Sequence, residues 1–170
     1  RMKKLRICFI YNPISGVRRI KGLEDLIKQN LNLNRFEYDI KATTSAKDAM
    51  RLASAAVQEN FDIIVAAGGD GTINEVVQGM GNSPLMLGII PIGSGNGLAR
   101  HLEIPLEPEK AIKLINNLNT RTIDIASING YPFASIAGLG FDARVANKYR
   151  KLKKRGLYGY TRVIMMEFFR

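Results

Sequence analysis

Phe61-Asp62-Ile63-Ile64-Val65-Ala66-Ala67-Gly68-Gly69-Asp70-Gly71-Thr72-Ile73-Asn74-Glu75 decides how this chain is read. Ile63–Ala67 is a short, wholly apolar run of the kind a strand covered on both faces requires. It passes without a linker into Gly68, Gly69, Asp70 and Gly71. These lead into Ile73, Val76, Val77 and Met80, the i, i+3, i+4, i+7 stripe of an amphipathic helix. Glycines between a strand and a helix start let the backbone approach a ligand closely, and the free N–H groups of the helix attract phosphate. Asp70 is the discordant member. A carboxylate repels phosphate unless a cation stands between them, and Mg²⁺ is the natural mediator. The spacing is neither that of a Walker A loop nor that of a G-x-G-x-x-G fingerprint. A tight turn with an aspartate cap is the plainer alternative.

Outward from this stretch, Leu5–Tyr11, Phe36–Ala42 and Leu85–Ile92 are further runs of strand length. Between them lie helical spacings: Leu23, Leu26, Ile27 and Leu31, then Ala46, Ala49, Met50, Ala53 and Val57. A short helix is expected over Leu98–Leu102. Another follows Pro108, using Ala111, Ile112, Ile115 and Leu118. Alternating strands and helices predict an α/β fold with a doubly wound, mostly parallel sheet. Two more loops follow strands: Asn12-Pro13-Ile14-Ser15-Gly16, and Pro91-Ile92-Gly93-Ser94-Gly95-Asn96-Gly97. All three sit at strand carboxyl ends, so one nucleotide with its phosphates can touch them all.

Beyond Thr120 the texture changes. Thr122–Ile128 and Phe133–Ala137 flank Asn129-Gly130, the strongest short hairpin signal, and a basic, helical-looking tail begins near Arg144. Residues 1–122 are therefore expected to form a nucleotide-binding α/β domain. Residues 123–170 are expected to begin a β-rich, antiparallel domain that is incomplete, because a hairpin and a helix make too little core.

The 170 residues carry a net charge of +10, unevenly placed. Residues 1–20 hold six Lys and Arg and no acid, residues 141–170 hold nine against Asp142 and Glu167, and the stretch between is mildly acidic. A uniformly basic domain would point to nucleic acid. Basic ends around an acidic body point instead to a phosphate site or an anionic membrane surface, and no nucleic-acid partner is expected. Lys148, Arg150, Lys151, Lys153, Lys154 and Arg155 form either a solvated helix face or a peripheral contact with anionic lipid headgroups. One cysteine and one histidine exclude an internal disulfide and a soft-ligand zinc site. Cys8 alternates with Ile7 and Phe9 as core, and His101 reads as a helix-end residue. With no apolar run of about 18–20 residues, the expected setting is cytoplasmic, with room for peripheral contact at the inner membrane surface.

Taken together, the three loops resemble the diacylglycerol kinase catalytic-domain family, which includes bacterial lipid kinases and sphingosine and ceramide kinases. The resemblance covers residues 5–150. Gly68-Gly69-Asp70-Gly71-Thr72 (as Gly-Gly-Asp-Gly-Thr) is shared with NAD kinases. The continuation Ile73-Asn74-Glu75-Val76-Val77 and the stretch Pro91–Arg100 look like the lipid kinases. The resemblance implies an NAD-kinase-like nucleotide-binding domain and transfer of the γ-phosphoryl group of ATP to a lipid hydroxyl, with Mg²⁺. It implies nucleotide contacts from Asn12, Pro13, Ile14, Ser15, Gly16, Thr43, Gly69, Asp70, Gly71, Thr72, Ile73, Asn74, Glu75 and Ser94, beside Gly68, Gly93, Gly95 and Asn96 of the same loops. Asp70 is the implied catalytic acid that organises Mg²⁺ and water at the phosphates, and Asp124 matches a family acid at the entrance to the second domain.

Two departures stand out. Gly97 occupies a place where bacterial diacylglycerol kinases usually carry Asp. The wording around it looks like sphingosine and ceramide kinases, which leaves a sphingoid acceptor open. The general base of the bacterial members is a Glu far downstream, in a region that this chain does not contain, so the chain alone is expected to be inactive or nearly so. An NAD kinase and a non-catalytic ATP-binding regulatory module remain as alternatives.

Overall fold

The computed structural model describes residues 3–15, 22–134, 141–150 and 157–168. Strands β1 (Leu5–Tyr11), β2 (Phe36–Ala42), β3 (Ile63–Gly68) and β4 (Met86–Pro91) pair in parallel in the order β2-β1-β3-β4. The register aligns Cys8 with Asp39 and with Ile64, and Val65 with Gly88. Every residue of β3 is buried, as its unbroken apolar run requires of a central strand.

Period-two alternation assigns the two faces. Ile7, Phe9, Ile63, Val65, Ala67 and Ile90 pack with Leu23 and Ile27 of α1 (Leu23–Asn30) and with Ala111 and Ile112 of α5 (Pro108–Ile115). Cys8, Ile10, Ile64, Ala66 and Ile89 face the other way. They meet Ala49, Leu52, Ala53 and Ala56 of α2 (Asp48–Gln58) and Ile73, Val76 and Val77 of α3 (Asp70–Met80). The sheet is thus covered on both faces and doubly wound, as the sequence predicts. Burial pushes the Cys8 thiol up to about 11, which keeps it an inert core group. Gly79 lets α3 lie directly against α2, since a Cβ there would collide with the Met50 carbonyl and the Ala53 methyl. The short α4 (Gly97–His101) adds Leu98 and Ala99 to the α2–α3 side, and His101 is exposed at its end.

Asn129 and Gly130 both have positive φ, 51° and 78°, the backbone of a type I′ turn. They join β5 (Ala126–Ile128) to β6 (Tyr131–Phe133), a hairpin whose first arm is shorter than the sequence predicts and whose second arm begins earlier, at Tyr131. Residues 135–137 of the expected second arm lie outside the described residues.

The chain divides into two compact units, residues 1–135 and 136–170, so by its packing the hairpin belongs with the first unit. A hairpin of three-residue arms has no core of its own, and it is held on α3 by Gln78 and Asn74. In the second unit, helices α6 (Phe141–Arg150) and α7 (Leu157–Phe168) stand where a single helical tail was expected. Tyr149 meets Tyr160 edge to face at 5.3 Å. Among the described residues, no helix is long and apolar enough to cross a membrane.

Candidate functional site

From β1 the chain steps outward to β2, then crosses back past β1 to β3 and β4. The winding direction therefore reverses between β1 and β3, and open α/β sheets bind ligands at that reversal, beyond the strand carboxyl ends. Backbone hydrogen bonds carry the sheet into the loops there. Thr43 N–H donates to Tyr11 O (2.8 Å), Asn12 N–H to Ala67 O (3.0 Å) and Ile92 N–H to Gly68 O (2.9 Å). The loops after all four strands accordingly leave from one rim.

The glycines bring that rim together. A Cβ on Gly93 would lie 2.5 Å from the Gly69 Cα and 2.8 Å from Asn96 Oδ1, so the β3 and β4 loops touch backbone to backbone. Gly68 is hydrogen-sided for another reason: a Cβ there would collide with the Thr72 side chain. Thr72, thus admitted and buried, accepts from Asn12 Nδ2 at 3.3 Å. Asn12 in turn shapes its own loop, because its Oδ1 accepts from Ile14 N–H and its carbonyl from Ser15 N–H.

The first bond inside α3 runs from Ile73 N–H to Gly69 O. The N–H groups of Asp70, Gly71 and Thr72 precede it and have no carbonyl within the helix to bond. The Ile73 side chain is core, so only its main chain lies near the rim. Gly71 is exposed, and nothing lies within 4 Å of a Cβ built on it.

Asp70 Oδ1 accepts from Leu98 N–H at 3.2 Å, and Oδ2 faces Gly95, 3.3 Å from a Cβ built there. The carboxylate therefore links the β3 loop to the start of α4. Asn96 is buried with φ 55°, and its Nδ2 donates to Gly93 O at 2.8 Å. Its Oδ1 is buried without a hydrogen-bond partner. Ser94 and Gly95 are exposed between these anchored neighbours.

Asn74 and Glu75 point away from one another along α3. Asn74 Oδ1 accepts from Ala134 N–H (3.3 Å) and Glu75 Oε1 from Lys47 N–H (3.1 Å). Asp124 is exposed in the irregular stretch ahead of β5. Gly16, Lys151, Lys153, Lys154 and Arg155 lie outside the described residues, while Lys148 and Arg150 fall in α6.

Asp48 is a residue that the sequence reading passed over. It is buried, and its Oδ2 accepts from Thr44 N–H (2.9 Å) and Thr44 Oγ1 (3.1 Å), while its Oδ1 pairs with Arg51 at 2.7 Å. The Thr44 amide, then Arg51, hold its carboxyl below the usual carboxylate range. This knot fixes the loop between the buried Thr43 and Lys47, whose φ is 64°. The available signal was a carboxylate opening a helix, but the apolar spacing starts that helix at Ala46 instead.

Mg²⁺ is held by one or two carboxylates together with phosphates and water, not by an all-protein cage. One rim carboxylate beside unpaired helix N–H groups fits that donor set. Among the described residues there is no cluster of three or more His, Cys, Asp or Glu side chains. An apolar groove of about 610 Å³ runs along the outer edge of β4 and α5, lined by Leu87, Ile89 and Leu114 among others. None of the rim residues lines it.

Comparison with known proteins agrees with this fold. The family model of the diacylglycerol kinase catalytic domain matches residues 6–128. A diacylglycerol kinase of Bacillus subtilis is 46% identical over 143 residues, covering 82% of this chain and 46% of that protein. A diacylglycerol kinase of Staphylococcus saprophyticus is 36% identical over 140 residues, 81% of this chain and 45% of that protein. The chain thus spans about half the length of the curated relatives it matches. The crystal structure of a Bacillus anthracis diacylglycerol kinase superposes with a TM-score of 0.65 at 27% identity, covering 78% of this chain and 49% of that one. With more than two thirds of its residues matched by the family model, this chain belongs to the diacylglycerol kinase catalytic-domain family.

Proposed function

We propose that this chain is the nucleotide-binding part of an ATP-dependent lipid kinase, which moves the γ-phosphoryl group of ATP to a lipid hydroxyl. The observation that carries the reading is the shared rim, where Asn12, Thr43, Gly69 and Ile92 each follow directly on a paired strand and Gly93 packs on Gly69. Phosphoryl transfer asks mainly for positioning and charge neutralisation. The N–H groups of Asp70, Gly71 and Thr72 supply part of the second, and the Gly93–Asn96 loop closes the other side. Asp70 and Asp124 are the residues proposed to hold Mg²⁺, directly or through water, and the metal when bound neutralises phosphate charge.

A lipid hydroxyl still needs a base within hydrogen-bond reach. Asp70 is a poor one, being fixed by Leu98 N–H. We assign the base and most of the acceptor pocket to the part of the relatives' length that this chain does not span. The acceptor is a diacylglycerol or, from the wording around Gly97, a sphingoid lipid. The basic stretch from Lys148 to Arg155 contributes peripheral attraction to an anionic membrane, in a cytoplasmic protein. The glycine at position 97 favours, as a second reading, ATP binding without transfer. Labelled ATP with a lipid panel and with NAD separates the cases. Phosphorylated lipid from the full-length protein supports the kinase, NADP identifies an NAD kinase, and saturable binding without product identifies a regulatory module. Turnover by residues 1–170 alone would overturn the claim that the base lies elsewhere.

A further inference from the structure

Helix α3 presents two side chains, Asn74 and Gln78, one turn apart on the flank beside its apolar stripe. Both reach the outer edge of β6. Gln78 Nε2 donates to Pro132 O at 3.1 Å, and Asn74 Oδ1 accepts from Ala134 N–H at 3.3 Å. Pro132 and Ala134 are i and i+2, so their polar groups point to the same side of the strand. The helix supplies one donor and one acceptor in the order that a third strand would. Pro132 costs the β5 ladder no hydrogen bond, because its polar side faces α3, and a proline is tolerated at such an edge. Beneath these bonds, Ala134 and Ile123 pack against the α2–α3 core. The hairpin has little else, since its arms pair over three residues and Ile128 and Tyr131 are exposed.

We infer that Asn74 and Gln78 are positioning residues that clamp the β5–β6 hairpin to the helix whose amino end is the proposed phosphate site. Nucleotide at that end then orders the hairpin and the chain leaving it at Ala134. The inference rests on the reading of the α3 start as a phosphate site. Its physical content is that α3 is one rigid rod. Ligand bonds to the N–H groups of Asp70, Gly71 and Thr72 fix the first turn. Asn74 lies one turn on and Gln78 two turns on, so the clamp residues are fixed with it. The clamp passes that order to backbone that touches no ligand. Glu75 extends the same logic to α2 through Lys47 N–H, which makes α3 the element on which the surrounding loops are registered.

The experiment is hydrogen–deuterium exchange of residues 126–134 in the full-length protein, with and without Mg²⁺ and a non-hydrolysable ATP analogue, beside a binding titration of the same nucleotide. In the wild type, bound nucleotide slows exchange across Tyr131–Ala134. In Gln78→Met, which keeps length and loses the donor, nucleotide affinity stays within about twofold. The slowing falls by about fivefold, the size of one neutral hydrogen bond. Gln78→Lys restores a donor to Pro132 O and with it the slowing. A hairpin indifferent to bound nucleotide in the wild type, or equally slowed in Gln78→Met, overturns the clamp alone. Failure of the wild type to bind nucleotide at millimolar concentration overturns the phosphate-site reading and the clamp together, and that pattern is distinct from the other two.

Discussion

Asn12 Nδ2 donates to Thr72 Oγ1 at 3.3 Å, joining the loop after β1 to the first turn of α3 across 60 residues of sequence. The bond exists because Gly68 leaves room for the Thr72 side chain. Removing the hydroxyl while keeping the shape, as in Thr72→Val, leaves Asn12 Nδ2 without that partner. The expected cost is about 1 kcal/mol in chemical denaturation, with weaker nucleotide binding as the Asn12–Ser15 loop loosens. Unchanged stability together with unchanged binding would show that the two loops are held independently.

Gly93 and Gly71 predict opposite outcomes for the same substitution. Gly93→Ala forces a methyl against the Gly69 backbone, and such overpacking costs about 1–3 kcal/mol. At Gly71 the methyl enters open space on a helix, where replacing glycine stabilises by about 0.5 kcal/mol. Gly71→Ala should therefore melt at or above the wild-type temperature and still bind nucleotide less well. Retained affinity would take the main chain at Gly71 out of the phosphate site.

Asp70→Asn keeps an oxygen for Leu98 N–H, so the fold should hold. If its charge serves the phosphates, turnover of the full-length enzyme on lipid should fall about 100-fold or more. Near-normal turnover would remove Asp70 from the reaction.

The Asp48 carboxyl is held below its ordinary value by Thr44 N–H and Arg51. A depressed folded-state pKa adds stability above the unfolded value of about 3.9, and that addition fades as pH falls through the folded value. The stability difference between wild type and Asp48→Asn should thus be constant from about pH 5 upward and shrink below about pH 4. Denaturation midpoints across that range give the answer, and a pH-independent difference would contradict the assignment.

The sheet was legible because burial writes itself into residue type. Leu5–Tyr11 and Phe36–Ala42 are strands to the residue, and Ile63–Ala67 extends by only Gly68. The glycine loops were legible for a related reason, since their spacing fits few backbone paths. Side-chain commitments were not. Asn74 and Glu75 stand in a motif that points to nucleotide, yet their oxygens bond Ala134 and Lys47, partners whose proximity only the folded chain creates. Asp48 escaped for the same reason, its partners being loop atoms of Thr44 and a helical Arg51. The second arm starts at Tyr131 and not at the expected Phe133, because residue preference does not reveal that the Pro132 carbonyl faces a helix instead of a third strand.

The central claim is that the loops after β1, β3 and β4 form one triphosphate site. Backbone amide resonances followed during titration with Mg²⁺ and a non-hydrolysable ATP analogue test it most directly. The account predicts that Asn12–Ser15, Gly69–Thr72 and Gly93–Gly95 shift together along one saturation curve. Shifts confined to a single loop, or centred on the β4–α5 groove, would contradict it.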